Sequence, residues 1–238
     1  MRYIFLLVSF ISFVLFSGYG FAIDIFKPLT NYQESKKAYE TYKSGYLSEK
    51  NYESAWEFAA IARFFGNYFV KDVEAKKKIF EEAKDAALFA TKVNANGVEG
   101  HYYLGVAYGS WAEATGIMNS LFLAGPIVDE MTKVINLDPK FRNGSAYAVR
   151  ARVYQKAPGW PVSIGDRKKA QKDFEEAIKY DNRMSYRFYA EFLIGIGEKE
   201  EARKIAEKGL NLPPNELEPV ADEDEMEILK KLLSSLKN

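Results

Sequence analysis

Seven side chains have the types and spacing to hold a ligand or a partner: Tyr102, Trp111, Leu121, Phe122, Arg150, Arg152 and Trp160. Two nearby arginines can grip a carboxylate, while indole, phenyl and leucine side chains wrap an apolar body. The chemistry they offer is binding, of an organic acid, an apolar compound or another protein. None of the seven is paired in sequence with a nucleophile or a general base.

No reactive constellation stands beside them. The chain has no cysteine, which excludes disulfides and thiolate metal sites. His101 is the single histidine, at a position where a helix repeat wants a bulky packing group, so it reads as core. No glycine loop of the phosphate-binding type occurs. Glu81, Glu82, Glu175 and Glu176 fall on charged helix faces, and nothing selects a pair of them for hydrolysis. A hydrolase would need such a pair facing a cleft. The expectation is a non-enzymatic protein without a metal or other cofactor.

The 33 basic and 33 acidic residues cancel, which argues against a nucleic-acid partner. At 47% apolar residues the chain is too hydrophobic for disorder, and 238 residues suffice for one domain with a real core. Residues 1–22 read as an export leader: Arg2, an apolar run from Tyr3 to Phe16, then small residues at Gly20 and Ala22. Cleavage after Ala22 would leave a periplasmic chain, residues 23–238, and an uncleaved leader would anchor it in the membrane.

The elements that must position the binding side chains are helices. His101, Leu104, Gly105 and Tyr108, followed by Pro139, set an order of large, small and aromatic positions typical of tetratricopeptide-like (TPR-like) hairpins. The order recurs at Tyr147, Ala151, Tyr154, Ala170, Phe174 and Ala177, and again at Tyr186, Tyr189, Ala190, Leu193, Ala202 and Ala206. A fainter copy covers Tyr42, Tyr46, Ala55 and Ala62, and Ala83, Ala87 and Ala90 suit a second helix. The expected fold is all-α: a right-handed stack of about four TPR-like hairpins with extra terminal helices, the last from Asp222 to Leu236.

Two stretches exceed the repeat. Thr115 to Val128 carries no charge, and it is expected to cover the core, to wall an apolar cavity or to form a subunit interface, with Pro126 opening the next helix. Ala157 to Asp166 presents Trp160 between prolines, either as a plug between repeats or as an anchor for a partner. Together with Trp111 they suggest an aromatic-rimmed pocket closed by Leu121 and Phe122, with Arg150 or Arg152 meeting a carboxylate. The concave groove is read on Tyr102, Val106, Arg152, Arg187 and Glu191, a mixed-charge surface suited to a peptide in an envelope-assembly scaffold.

With the leader, the segments NYESAWEFAAIARFFG, VEGHYYLGVAYG, NSLFLAGPIVDEMTKVINLDPKF and PGWPVSIGD resemble the T-component family of TRAP transporters, over Tyr52 to Leu210. The resemblance implies a periplasmic helper that contacts a solute-binding protein. Such a helper would pass an apolar or organic-acid ligand through a cavity or a homo-oligomeric pore. That family includes lipoproteins, and this chain lacks the cysteine for such an anchor. A more distant likeness to microtubule-regulating repeat proteins is opposed by the export leader.

Overall fold

The computed structural model describes residues 24–26 and 29–236; the leader read at residues 1–22 lies outside them. Among the described residues ten α-helices follow one another: α1 (Tyr32–Glu49), α2 (Tyr52–Tyr68), α3 (Val73–Val93), α4 (Val98–Thr115) and α5 (Ile117–Leu137), then α6 (Ser145–Lys156), α7 (Arg167–Ala177), α8 (Arg183–Gly195), α9 (Lys199–Leu210) and α10 (Pro219–Ser235). No helix among the described residues is long and apolar enough to cross a membrane.

Local chemistry fixes many of the helix starts. Asn31, Asn51, Asp72, Asp166 and Asn182 each precede a helix and accept backbone N–H groups from its first turn. Asn51 and Ser54 form a reciprocal capping box. Helix α1 ends at Lys50, whose left-handed backbone (φ 45°) turns the chain into α2.

Four hairpins result, α2 with α3, α4 with α5, α6 with α7 and α8 with α9. Helix α1 lies against α2, and α10 closes the other end against α8 and α9. The all-α stack of TPR-like hairpins with extra terminal helices is therefore the observed fold. Small residues set the spacing. Ala83, Ala87, Ala90, Ala170, Ala202 and Ala206 are fully buried between helices. A Cβ on Gly105 would run into Met131 and lie 3.3 Å from the Glu130 Cβ, so α4 and α5 touch backbone to side chain there.

The core has two parts. Phe26, Trp56, Ile61, Leu104 and Met131 belong to the first, built from the segment before α1 and from the helices up to α5. Phe174, Tyr189, Leu193 and Leu229 belong to the second, built from the later helices. Helix α6 joins them, giving Ala146 to one and Ala151 to the other. Just before it, Arg142, Asn143 and Gly144 all adopt left-handed backbone (φ 47°, 52° and 64°), which redirects the chain between the two halves.

One local expectation is corrected. Thr115 to Val128 is no inserted loop: the chain turns at Gly116 (φ 106°) and enters α5 at once, with Pro126 well inside that helix rather than opening it. A proline costs a helix the bond to the carbonyl four residues earlier. Here that carbonyl belongs to Phe122, and both residues face solvent, where water takes the place of the missing donor.

Candidate functional site

The structure builds no closed pocket from the side chains that the sequence groups together. Trp111 closes α4 half-buried, with the Lys84 ammonium 4.6 Å from its ring centroid. Leu121 is half-buried on α5. Phe122 is 72% exposed and Trp160 is 90% exposed, so neither closes a pocket. The expected cavity behind Leu121 and Phe122 is replaced by a solvent-facing helix start, because α5 begins earlier than the repeat length suggests. A cavity of about 350 Å³ opens instead beside the Trp160 loop, between Tyr154, Lys156, Arg167, Phe192 and Ile196.

Arg150 is already engaged. Its guanidinium makes a bidentate pair with Asp173 (2.7 and 2.9 Å) and donates to the Thr132 hydroxyl at 2.9 Å. Tyr102 is buried at 4% exposure, and its hydroxyl accepts from Ser145 (3.1 Å). Val106 is buried as well, at 8%. Neither lines an open groove, which corrects the reading of the concave face over α4. The solitary His101 is a core residue, held by the Glu130 carboxylate at Nδ1 and by the Ala95 carbonyl at Nε2 (2.8 Å).

The face over α2 and α4 is filled by the chain's own ends. Phe26 packs on Phe64 (centroids 5.2 Å apart), and Val220 of α10 reaches the same core. Between them lies Arg142, over the rings of Phe26, Tyr102 and Tyr103 at 5.4 to 5.9 Å. It donates to the Tyr103 hydroxyl (3.1 Å) and to Glu218. Burial drives the Tyr103 phenol well above its ordinary pKa, although Arg142 opposes the shift.

What stays accessible on the first-helix side is a ladder of alternating charge. Arg152 of α6 pairs with Glu191 of α8 at 2.6 Å, Glu191 with Arg187 at 2.9 Å, and Arg187 with Glu225 of α10. The Phe188 ring sits against both arginines, with guanidinium carbons 4.7 and 4.2 Å from its centroid. Burial lowers the Arg152 pKa, Glu191 opposes, and the neighbouring charge of Arg187 lowers it further. Burial also lowers Arg187, but Glu225 and Glu191 outweigh it and raise the group above its usual range. The ladder is thus one electrostatic unit across three helices. Sequence reading found Arg152, Arg187 and Glu191 and missed Phe188, Glu225, Arg142 and Glu218; the only local signal for Arg142 is the turn-forming Asn-Gly that follows it.

Comparison with known proteins bears on this architecture. No curated protein sequence matches the chain. Among solved structures, TTC0263, a thermophilic TPR protein of Thermus thermophilus, superposes with a TM-score of 0.62 at 15% identity, over 85% of this chain and 92% of that one. MamA superposes with a TM-score of 0.51 at 18% identity, over 75% of this chain and 88% of the other. Both establish the TPR-like fold. Neither speaks to the T-component likeness. The family model described as Regulator of microtubule dynamics protein 1-3 matches residues 23–143, half of the chain, from the segment carrying Phe26 to the left-handed turn before α6. The chain belongs to the family of regulator of microtubule dynamics proteins 1–3.

Proposed function

We propose that this chain is a non-catalytic binding scaffold that holds a partner protein across the charge ladder of α6 and α8. The observation that carries the reading is the Arg152–Glu191–Arg187 run with Phe188 at its centre, partly exposed while the rest of that face is occupied from within. An aromatic ring framed by charges of both signs suits a protein surface: the ring supplies an anchor and the charges supply register.

In its finer form the proposal places the protein in the periplasm, exported by residues 1–22, as an accessory of TRAP-type uptake. Its partner would be a solute-binding protein, as the segment resemblance implies. The family description concerns microtubule dynamics; the leader is what turns this reading towards the envelope. Any organic-acid ligand handed over at this face would have to take the place of Glu191 at Arg152, with Arg150 held by Asp173. Co-purification with a tagged chain from envelope extract tests the proposal. A TRAP-type solute-binding protein should elute with the parent and be lost with Arg152→Glu/Phe188→Ala. Its absence from the parent eluate, or its retention by the variant, overturns the reading.

A further inference from the structure

We infer that the hairpin-loop edge of the stack docks on an anionic lipid surface. Every hairpin reverses at the same edge, after α2, α4, α6 and α8. The five most exposed bulky apolar side chains among the described residues all lie there: Trp160 at 90%, Ile117 at 80%, Phe122 at 72%, Val162 at 70% and Met118 at 65%. They come from two different hairpins, so no single accident of one loop accounts for them.

The register of α5 and α6 brings the two groups level. Arg150 bonds Thr132 at 2.9 Å, and the helices run in opposite directions past this contact. At a rise of 1.5 Å per residue, Phe122 stands about 15 Å beyond it along α5. Helix α6 leads the same way to Lys156 and into the Trp160 loop. The two apolar tips therefore project together from one edge.

Their border is cationic. Lys71, Lys156, Arg167, Lys168 and Lys169 are exposed, and among the described residues none of them pairs with a carboxylate. The aspartates of this edge, Asp72 and Asp166, use their oxygens to cap α3 and α7. Glu74 is paired with Lys77 (2.7 Å), Glu200 with Arg203 and Glu201 with Lys204, which leaves Glu113 and Glu198 as the exposed unpaired carboxylates of this edge against five unpaired cations. Protruding tryptophan, phenylalanine and aliphatic tips with a lysine and arginine rim match the two layers of a bilayer surface, acyl boundary and anionic headgroups. The opposite edge carries no comparable set, its exposed bulky apolar residues being Leu47, Val93 and Leu137, one near the end of each of three helices.

Every contact described lies within residues 24–236, so the chain from Ile23 keeps the fold and removes the apolar leader from the assay. It is floated with vesicles of phosphatidylcholine alone and of equimolar phosphatidylcholine and phosphatidylglycerol. The parent should bind the second preferentially, with binding lost at high salt and a blue shift of tryptophan emission. Phe122→Ser/Trp160→Ser and, separately, Lys168→Glu/Lys169→Glu should each weaken binding about tenfold or more while keeping the parent's circular dichroism. Equal binding to both vesicle types, or unchanged binding of both variants, overturns the inference. So does a parent dimer that ignores vesicles and that Phe122→Ser/Trp160→Ser converts to monomer, which would make the edge a contact between copies. Because Arg152 lies off this edge, loss of the ladder partner leaves vesicle binding intact.

Discussion

Arg142 pairs with Glu218 across 76 positions of sequence and ties the turn before α6 to the start of α10. The same guanidinium rests on the rings of Phe26, Tyr102 and Tyr103, so one side chain joins both ends of the chain to the middle of the stack. Side-chain exposures of 14% and 18% put this pair in the regime where losing one partner strands a charge. Glu218→Ala should therefore cost about 3 kcal/mol in urea unfolding. Replacing both partners by methionine and leucine should cost less than either single change, which a double-mutant cycle would show.

The repeat core makes a second test. Leu104 is 2% exposed between α4 and its neighbours, and Leu104→Ala should lower stability by about 2–5 kcal/mol. At Gly105 even a methyl group meets the end of Met131, a flexible group that can move, with the Glu130 Cβ behind it. Gly105→Ala should cost about 1–3 kcal/mol and Gly105→Leu clearly more, read from the shift in the urea midpoint.

These positions were legible from sequence because hairpin packing is local: a large residue, a small one and an aromatic at helical steps report the face that a neighbouring helix covers. The Arg142–Glu218 tie leaves no such trace, since its partners share no periodic spacing. The groove reading of Tyr102 failed for the same reason. Helix phase places Tyr102 on the inner side correctly, yet it is covered by Phe141 and Arg142 of the turn before α6, and Arg142 is held there by Phe26 and Glu218 from distant parts of the sequence. The uncharged run from Ile117 was read as needing a cover because apolar side chains avoid water. The structure leaves several of them in the open on a helix, which turns a packing expectation into a surface with something to bind.

Alkaline pH should unfold the protein through its buried phenols. Burial, then the hydrogen bond to Glu82, pushes the Tyr39 hydroxyl up to about 12, and burial does the same to Tyr68. Their unfolded counterparts ionise near 10, so between those values the native state holds the more protons. The stability these phenols contribute is full below pH 10 and is lost as pH rises towards 12. Tyr39→Phe should flatten that decline, as followed by thermal melts at stepped pH. An unchanged slope would assign the decline to other groups.

The last prediction joins processing to folding. Cleavage after Ala22 leaves Ile23 as the first residue, only three positions before Phe26, which is 3% exposed and packed on Phe64. Leu29 follows at 4% exposure. A leader ending at Ala22 would run almost directly into side chains that complete the first core, and a cut a few residues further on would remove them. N-terminal sequencing of the exported protein should read Ile23-Asp24-Ile25-Phe26. A chain made to start at Thr30 should uncover Phe64 and leave Arg142 over two rings instead of three. Phe→Ala changes in cores cost about 3–5 kcal/mol, so removing Phe26 with Leu29 should lower the urea midpoint at least as far as Phe26→Ala alone. If the shortened chain melts like the parent, the segment before α1 is an ornament on the fold and the face over α4 is open to a partner after all.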